Sequence, residues 1–189
     1  PRDNAVYIEP EDAWGLEVWK RKPSPELVKR SLEEYDAFYK TVNQLFSELQ
    51  QRFKRFVVFD LHSYNHYRDG IEKPAADPAH NPQVNIGTGT MNREQWAPII
   101  DRFISDLRSF DFSGRHLDVR ENIKFKGGYF PRWIHQSFKS SACVLSVEFK
   151  KFFMNEWTGE SDDVQLENIG NALNSTVPGV FETLEQLAY

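Results

Sequence analysis

Asp60-Leu61-His62-Ser63-Tyr64 closes the apolar, β-branched and aromatic run Phe56-Val57-Val58-Phe59, where a buried strand should hand its residues to a crevice. A neutral imidazole there can bind a divalent metal through one ring nitrogen while a carboxylate or carbonyl holds the other. Asp60, two residues earlier, is placed either to share in such a site or to support His62 from behind. The plain alternative is a structural histidine hydrogen-bonded at a strand end. A second apolar run, Cys143-Val144-Leu145-Ser146-Val147-Glu148-Phe149, carries Glu148 as its one charge and continues through Lys150-Lys151 to Phe152-Phe153-Met154. A carboxylate in such a run is costly unless it is paired, protonated or near a cation. It is therefore either a salt-bridge partner of Lys150 or Lys151 or a general base beside a metal-bound water.

The elements that must position these groups alternate as in an α/β fold. Asp3 to Lys22 reads as irregular, with Tyr7, Trp14, Leu16 and Trp19 as packing anchors. Ser24-Pro25-Glu26 supplies an N-cap, a first-turn proline and an early acid for a long helix to about Arg52, whose stripe from Leu27 to Phe53 is expected in the core. The His62 strand follows, then a long polar loop from Asn65 to Gln83, a length that is often functional. Val84–Gly87 reads as a short strand, Asn92 to Phe110 as an amphipathic helix, and His116 to Phe125 as a strand near a sheet edge. Pro131 starts a short helix to Phe138, the Glu148 strand follows, and Asp162-Asp163 opens a last helix that Pro178-Gly179 should kink or restart. The sequence shows no repeat and no low-complexity segment.

Other motifs carry less. Gly87-Thr88-Gly89-Thr90 lacks the Lys-Ser/Thr ending and glycine spacing of a phosphate loop. His62 and His66 are four apart, the interval of two ligands on one helix face, but the strand before them and Asp69-Gly70 after them argue for a loop. His66, His80, His116 and His135 read as surface groups or supports behind a ligand. Gly127-Gly128 is a tight turn or a pocket wall that lets a ligand approach the backbone. Arg132 can grip a carboxylate in a bidentate way or form a surface ion pair, and Arg2, Arg68 and Arg120 are weaker candidates of the same type.

Composition sets outer bounds. The 189 residues suffice for one core, and 15 Phe and 5 Trp point to an aromatic-rich interior. A net charge of -5 with scattered basic residues gives no support for a nucleic-acid surface. The single Cys143 excludes an intramolecular disulfide and reads as a core residue. No apolar run approaches membrane-span length and no signal-peptide pattern opens the chain, so a cytoplasmic location is expected.

Taken in order, Asp60-Leu61-His62-Ser63-Tyr64, Phe125-Lys126-Gly127-Gly128-Tyr129 and Val147-Glu148-Phe149-Lys150-Lys151-Phe152-Phe153-Met154 resemble the successive motifs of the N-formylglutamate amidohydrolase family. The resemblance runs from about Asp3 to the C-terminal helix. It implies a three-layer αβα fold with a mixed central sheet, phosphorylase/hydrolase-like and similar to the zinc carboxypeptidases and aspartoacylases. It also implies a Zn2+ cofactor, with His62 as zinc ligand, Asp60 supporting it, Glu148 activating the zinc-bound water, and Gly127 and Gly128 lining the substrate pocket beside Arg132. The implied reaction is hydrolysis of a small-molecule N-acyl amide of an acidic amino acid. A peptide-cleaving zinc carboxypeptidase and a non-catalytic binding or regulatory module are the competing readings. Family members carry a His and a carboxylate, then an Asn-Arg pair, upstream of the position where this chain opens with Pro1-Arg2-Asp3. The expectation is a single, N-terminally truncated domain over residues 1–189. Its other zinc ligands would lie upstream of Pro1, its activity alone would be slight, and an open sheet edge would flank the crevice.

Overall fold

A computed structural model describes residues 1–9, 17–67, 70 and 72–187. They group into two compact units, Pro1–Arg52 and Phe53–Tyr189.

The first unit holds a 3-10 turn, Arg2–Asn4, and most of helix α1, Pro25–Phe53. Ser24 begins α1 as its sequence suggests, its hydroxyl accepting from the Leu27 N–H at 3.3 Å. Arg2 reaches the helix with a bidentate pair to Asp36 at 2.7 and 2.9 Å. The stripe of α1 does not form the expected core: of its residues only Phe46 is buried, and Leu27, Phe38, Leu45 and Phe53 are exposed. Periodicity selects the apolar face, but among the described residues this unit offers no second helix or strand long enough to cover 29 residues. Tyr7 and Trp19 are also exposed, joined by the indole N–H to the Tyr7 carbonyl at 2.6 Å. Trp14 and Leu16 lie outside the described residues.

The second unit is an α/β layer structure on a mixed four-stranded sheet. Its strands are β1 (Phe56–Tyr64), β2 (Val84–Gly87), β3 (Val119–Glu121) and β4 (Ala142–Lys150), in the order β1-β4-β2-β3. β1 runs parallel to β4, β4 antiparallel to β2, and β2 parallel to β3. The period of two along β4 sorts its side chains. Cys143, Leu145, Val147 and Phe149 join a buried cluster with Ile99, Phe103 and Leu107 of α2 (Ala97–Ser109) and Ala172 and Val180 of α4 (Asp163–Gln186). Ala142, Val144, Ser146 and Glu148 alternate onto the other face, against α3 (Tyr129–Ser137), where Phe138 meets Phe56 with ring centroids 5.9 Å apart. Helices thus cover both faces of the sheet.

Several boundaries differ from expectation: β3 covers only Val119–Glu121 of the His116 to Phe125 stretch, and α3 starts at Tyr129, two residues before Pro131. Residues 93–96 form a turn, so α2 starts at Ala97, with the buried Trp96 as its N-cap. α4 opens on Asp162, which accepts from the Gln165 N–H at 3.1 Å, and continues through Pro178 without a restart. Proline removes one backbone bond there, but Thr176, Gly179 and Val180 are buried around it, so tertiary packing holds the helix together. No described helix is long and apolar enough to cross a membrane.

Gly87 ends β2 against the 126–127 backbone, where a Cβ would stand 2.6 Å from the Gly127 nitrogen. Backbone cannot move aside as a side-chain tip can. Gly87→Ala should therefore destabilise the chain by about 1–3 kcal/mol, read as a lower urea midpoint with unchanged slope. A variant as stable as the parent would show that the loop yields freely.

Candidate functional site

The parallel register of β1 and β4 sets His62 beside Glu148 and Asp60 beside Ser146. All four line one cavity of about 140 Å³. Its remaining walls are the β2 end at Gly87, Phe125, the Gly127-Gly128 pair and the first turn of α3. The structure thus gathers Asp60, His62, Gly127, Gly128 and Glu148 in one place. Arg132 is not among the lining residues and lies exposed on α3, one position after the lining residue Pro131.

His62 keeps a side chain 51% exposed, whereas that of Asp60 is only 10% exposed. The imidazole donates from Nε2 to Asp60 Oδ1 at 2.8 Å, which leaves Nδ1 as the lone-pair nitrogen of the neutral ring. Glu148 is half-buried and its carboxyl is raised above the ordinary range, chiefly by desolvation; His62 works against the rise and Asp60 adds to it. The alternative of an ion pair with Lys150 or Lys151 is not formed. Lys150 turns its Nζ to the Asn81 carbonyl at 3.1 Å, and Glu148 has no salt-bridge partner among the described residues.

Backbone geometry builds the glycine wall. Gly127 has φ +102°, and a Cβ there would meet the Thr90 side chain at 3.0 Å. The Gly89 N–H donates to the Lys126 carbonyl at 2.7 Å. Asn85, fully buried in β2 and paired in register with Glu148, donates to the Phe125 carbonyl and accepts from the Lys124 N–H, each at 2.8 Å. This side chain ties the loop before the glycines to the sheet. Asn85 was not among the expected site residues, and a polar residue between Val84 and Ile86 is the sequence signal that could have found it.

The other histidines separate. His66 is buried, not a surface group, and its Nδ1 and backbone N–H both reach Glu156 Oε1, at 2.7 and 2.6 Å, while the Tyr67 N–H donates to Oε2 at 3.2 Å. That engagement fixes its Nδ1 on Glu156, and His66 is not a lining residue of the His62 cavity. His135 is likewise buried: it accepts at Nε2 from the Val144 N–H at 3.2 Å and meets Thr90 Oγ1 at 3.2 Å through Nδ1. Desolvation lowers its pKa, in keeping with a neutral structural ring. His80 and His116 are exposed, on Asp77 and on the Phe110 carbonyl. Arg120 is spent on Asp118 and on the carbonyls of Pro78 and Ala79, and Arg2 on Asp36. Arg68 lies outside the described residues. Cys143 is fully buried and its thiol is pushed up to about 12, which makes it a core residue. No three His, Cys, Asp or Glu side chains among the described residues converge as a metal site.

The sequence profile of N-formylglutamate amidohydrolases matches residues 3–153. No curated protein sequence matches the chain. Among solved structures, N-formylglutamate amidohydrolase from Ralstonia eutropha JMP134 superposes with a TM-score of 0.58 at 18% identity, over 90% of this chain and 59% of that enzyme. At that identity the superposition establishes the α/β fold. The chain spans 59% of the length of that enzyme.

The desolvated carboxyl has a signed consequence for stability. With its pKa raised in the folded chain, Glu148 stays protonated over a range in which the unfolded chain has released the proton. Its contribution is intact below the unfolded value of about 4 and is lost as pH rises through the raised value. Glu148→Gln should match the parent in urea stability near pH 4 and exceed it at pH 7. A variant less stable than the parent at pH 7 would mean that the carboxylate has a favourable partner.

Proposed function

The chain belongs to the N-formylglutamate amidohydrolase family, and on that premise we propose that it hydrolyses the N-acyl amide of an acidic amino acid with Glu148 as general base. The observation that carries this reading is the half-buried Glu148 carboxyl, without an ion pair among the described residues, in a cavity also lined by Gly127 and Gly128. Glu148 takes a proton from the attacking water and returns it to the amine nitrogen as the C–N bond breaks, so the products are a carboxylic acid and the free amine. A base whose pKa is lifted toward the working pH removes that proton more readily. Asp60 holds the His62 ring in one orientation through Nε2.

A cavity of about 140 Å³ favours a small acyl group over a peptide side chain, since sites for drug-sized ligands run to roughly 300 Å³ and above. The amino-acid carboxylate would then sit at the rim. Arg132 and Lys126 are exposed cations that flank the lining residues Pro131 and Gly127 in sequence, and Arg132 is the one suited to bidentate grip. The reading includes a cytoplasmic location.

Zinc enters through His62 alone. Its Nδ1 lone pair, with Nε2 held by a carboxylate, has the chemistry of one ligand. A catalytic zinc takes three protein ligands, and the described residues do not supply them. The proton steps above are therefore assigned to side chains. The same shortfall is the observation that favours a second reading, a binding module that keeps the fold without the chemistry.

Assays with N-formylglutamate and N-acetylglutamate separate the two. The hydrolase reading expects turnover that Glu148→Gln lowers by a factor on the order of 10² or more without loss of fold. Absence of any turnover by the folded chain, with metal supplied, would favour the binding module. Competition of the chain with a chromophoric chelator for zinc tests His62. His62→Ala should weaken zinc binding by about tenfold or more, and unchanged affinity would remove His62 from the ligand set.

A further inference from the structure

β2 stops at Gly87, opposite Ser146, so Val144 lies beyond the last rung that β2 supplies to β4. Phe56 donates to the Ser141 carbonyl and Tyr64 accepts from the Lys151 N–H, so the odd-numbered residues of β4 serve β1. The N–H of Val144 therefore points the other way, toward the side that β2 has left. A buried N–H without a partner there would be costly. His135, buried on α3, accepts it at Nε2 over 3.2 Å, in the place a further β2 residue would take.

A neutral imidazole that accepts at Nε2 carries its proton on Nδ1, and Nδ1 lies 3.2 Å from Thr90 Oγ1. Thr90 in turn backs the cavity: a Cβ on the lining residue Gly127 would stand 3.0 Å from Thr90 Cγ2 and 3.2 Å from Oγ1. One ring thus joins β4, which carries Glu148, to the turn on which the glycine wall rests. A charged ring could not keep both bonds, because it would set an Nε2–H against the Val144 N–H. No charged side chain among the described residues bonds to the ring, and desolvation lowers its pKa against a smaller opposing effect of the Thr90 backbone. The 87–90 turn has no titratable group. β4 brings Cys143, which faces the core, and Glu148, which lines the cavity, and α3 brings the exposed Arg132.

We propose that His135 is a positioning residue: its neutral ring sets the Gly127-Gly128 wall of the cavity relative to Glu148, and loss of that neutrality shifts the wall. The ring is not part of the cavity lining, so it acts through Thr90 and Val144 and exchanges no proton with a ligand. This role concerns the shape of the cavity and holds whatever chemistry the cavity performs, so it is separable from the hydrolase reading.

Nuclear magnetic resonance of the 15N-labelled chain at pH 7 should report the Nδ1–H tautomer for His135, and the Nε2–H tautomer would overturn the proposal. Two substitutions then separate the bonds. His135→Gln brings its amide to the reach of Nε2 and can still accept the Val144 N–H, whereas His135→Asn brings its amide only to the reach of Nδ1, toward Thr90. His135→Gln should keep the Val144 amide protected from exchange and move the Gly127 and Gly128 resonances. His135→Asn should speed Val144 exchange about tenfold or more, the scale of one lost buried hydrogen bond. Gly127 and Gly128 resonances unmoved in both variants, whatever the cost in stability, would leave His135 a purely structural residue. Acidification tests the unsubstituted chain and needs no variant to fold. The neutral ring's contribution to stability is whole above the unfolded value of about 6.5 and is lost as pH falls through the lowered folded value. Over that fall the Gly127 and Gly128 amides should move with the midpoint of the ring's own carbon-bound protons. Amides that stay in place while the ring titrates, or that move at a different midpoint set by Glu148, Asp60 or His62, overturn the proposal.

Discussion

The pairing of β1 with β4 is the constraint on which the rest of the second unit depends. Nine residues on each strand run in parallel register from Phe56 beside Ala142 to Tyr64 beside Lys150. Because side chains alternate, this register puts Asp60, His62, Ser146 and Glu148 together on one face while Cys143, Leu145, Val147 and Phe149 fill the core on the other. A slip of one residue would turn Glu148 into the cluster of Ile99, Phe103 and Leu107. That cost makes register and site a single choice. β2 fixes β4 from the other side, with Ile86 beside Val147 and Asn85 beside Glu148.

One face of the sheet therefore tolerates what the other could not. The helix pair α2 and α4 closes over the apolar side so tightly that a Cβ on Gly179 would overlap Asp106 and Arg102. Against that well-packed layer, the opposite face can hold a desolvated carboxyl at Glu148 and an unpartnered hydroxyl at Ser146. Neither stabilises the fold, and both are the kind of local inconsistency that a protein sustains at a working site. The contrast with Cys143 is instructive. It belongs to the same strand but faces the core, where burial suppresses its thiolate and removes it from chemistry.

Much of this was legible in the chain because its reactive residues interrupt apolar strand runs. Val84–Gly87 and the His62 and Glu148 strands were bounded nearly as found, and the α/β alternation gave the layered sheet with β3 at its edge. The gathering of Asp60, His62 and Glu148 follows from strand pairing that no local pattern specifies. Ser146 was unreadable for a different reason: a serine within a strand is ordinary, and only the absence of a neighbour within reach makes it notable. Glu156 lay far along the chain from the His66 it holds. The α1 stripe failed oppositely, since amphipathic spacing names the face that seeks cover without saying that cover exists.

Electrostatics ties the site's parts together. Among the described residues the cavity lining has two carboxylates and one imidazole, and no lysine or arginine. Two ionised carboxylates so close repel each other, and Asp60 accordingly helps to raise Glu148. The two differ in their partners: Asp60 has the His62 N–H at 2.8 Å, and Glu148 has no comparable donor among the described residues. Glu148, raised chiefly by desolvation, is the group on this face whose proton is held more tightly than an ordinary carboxylate holds it.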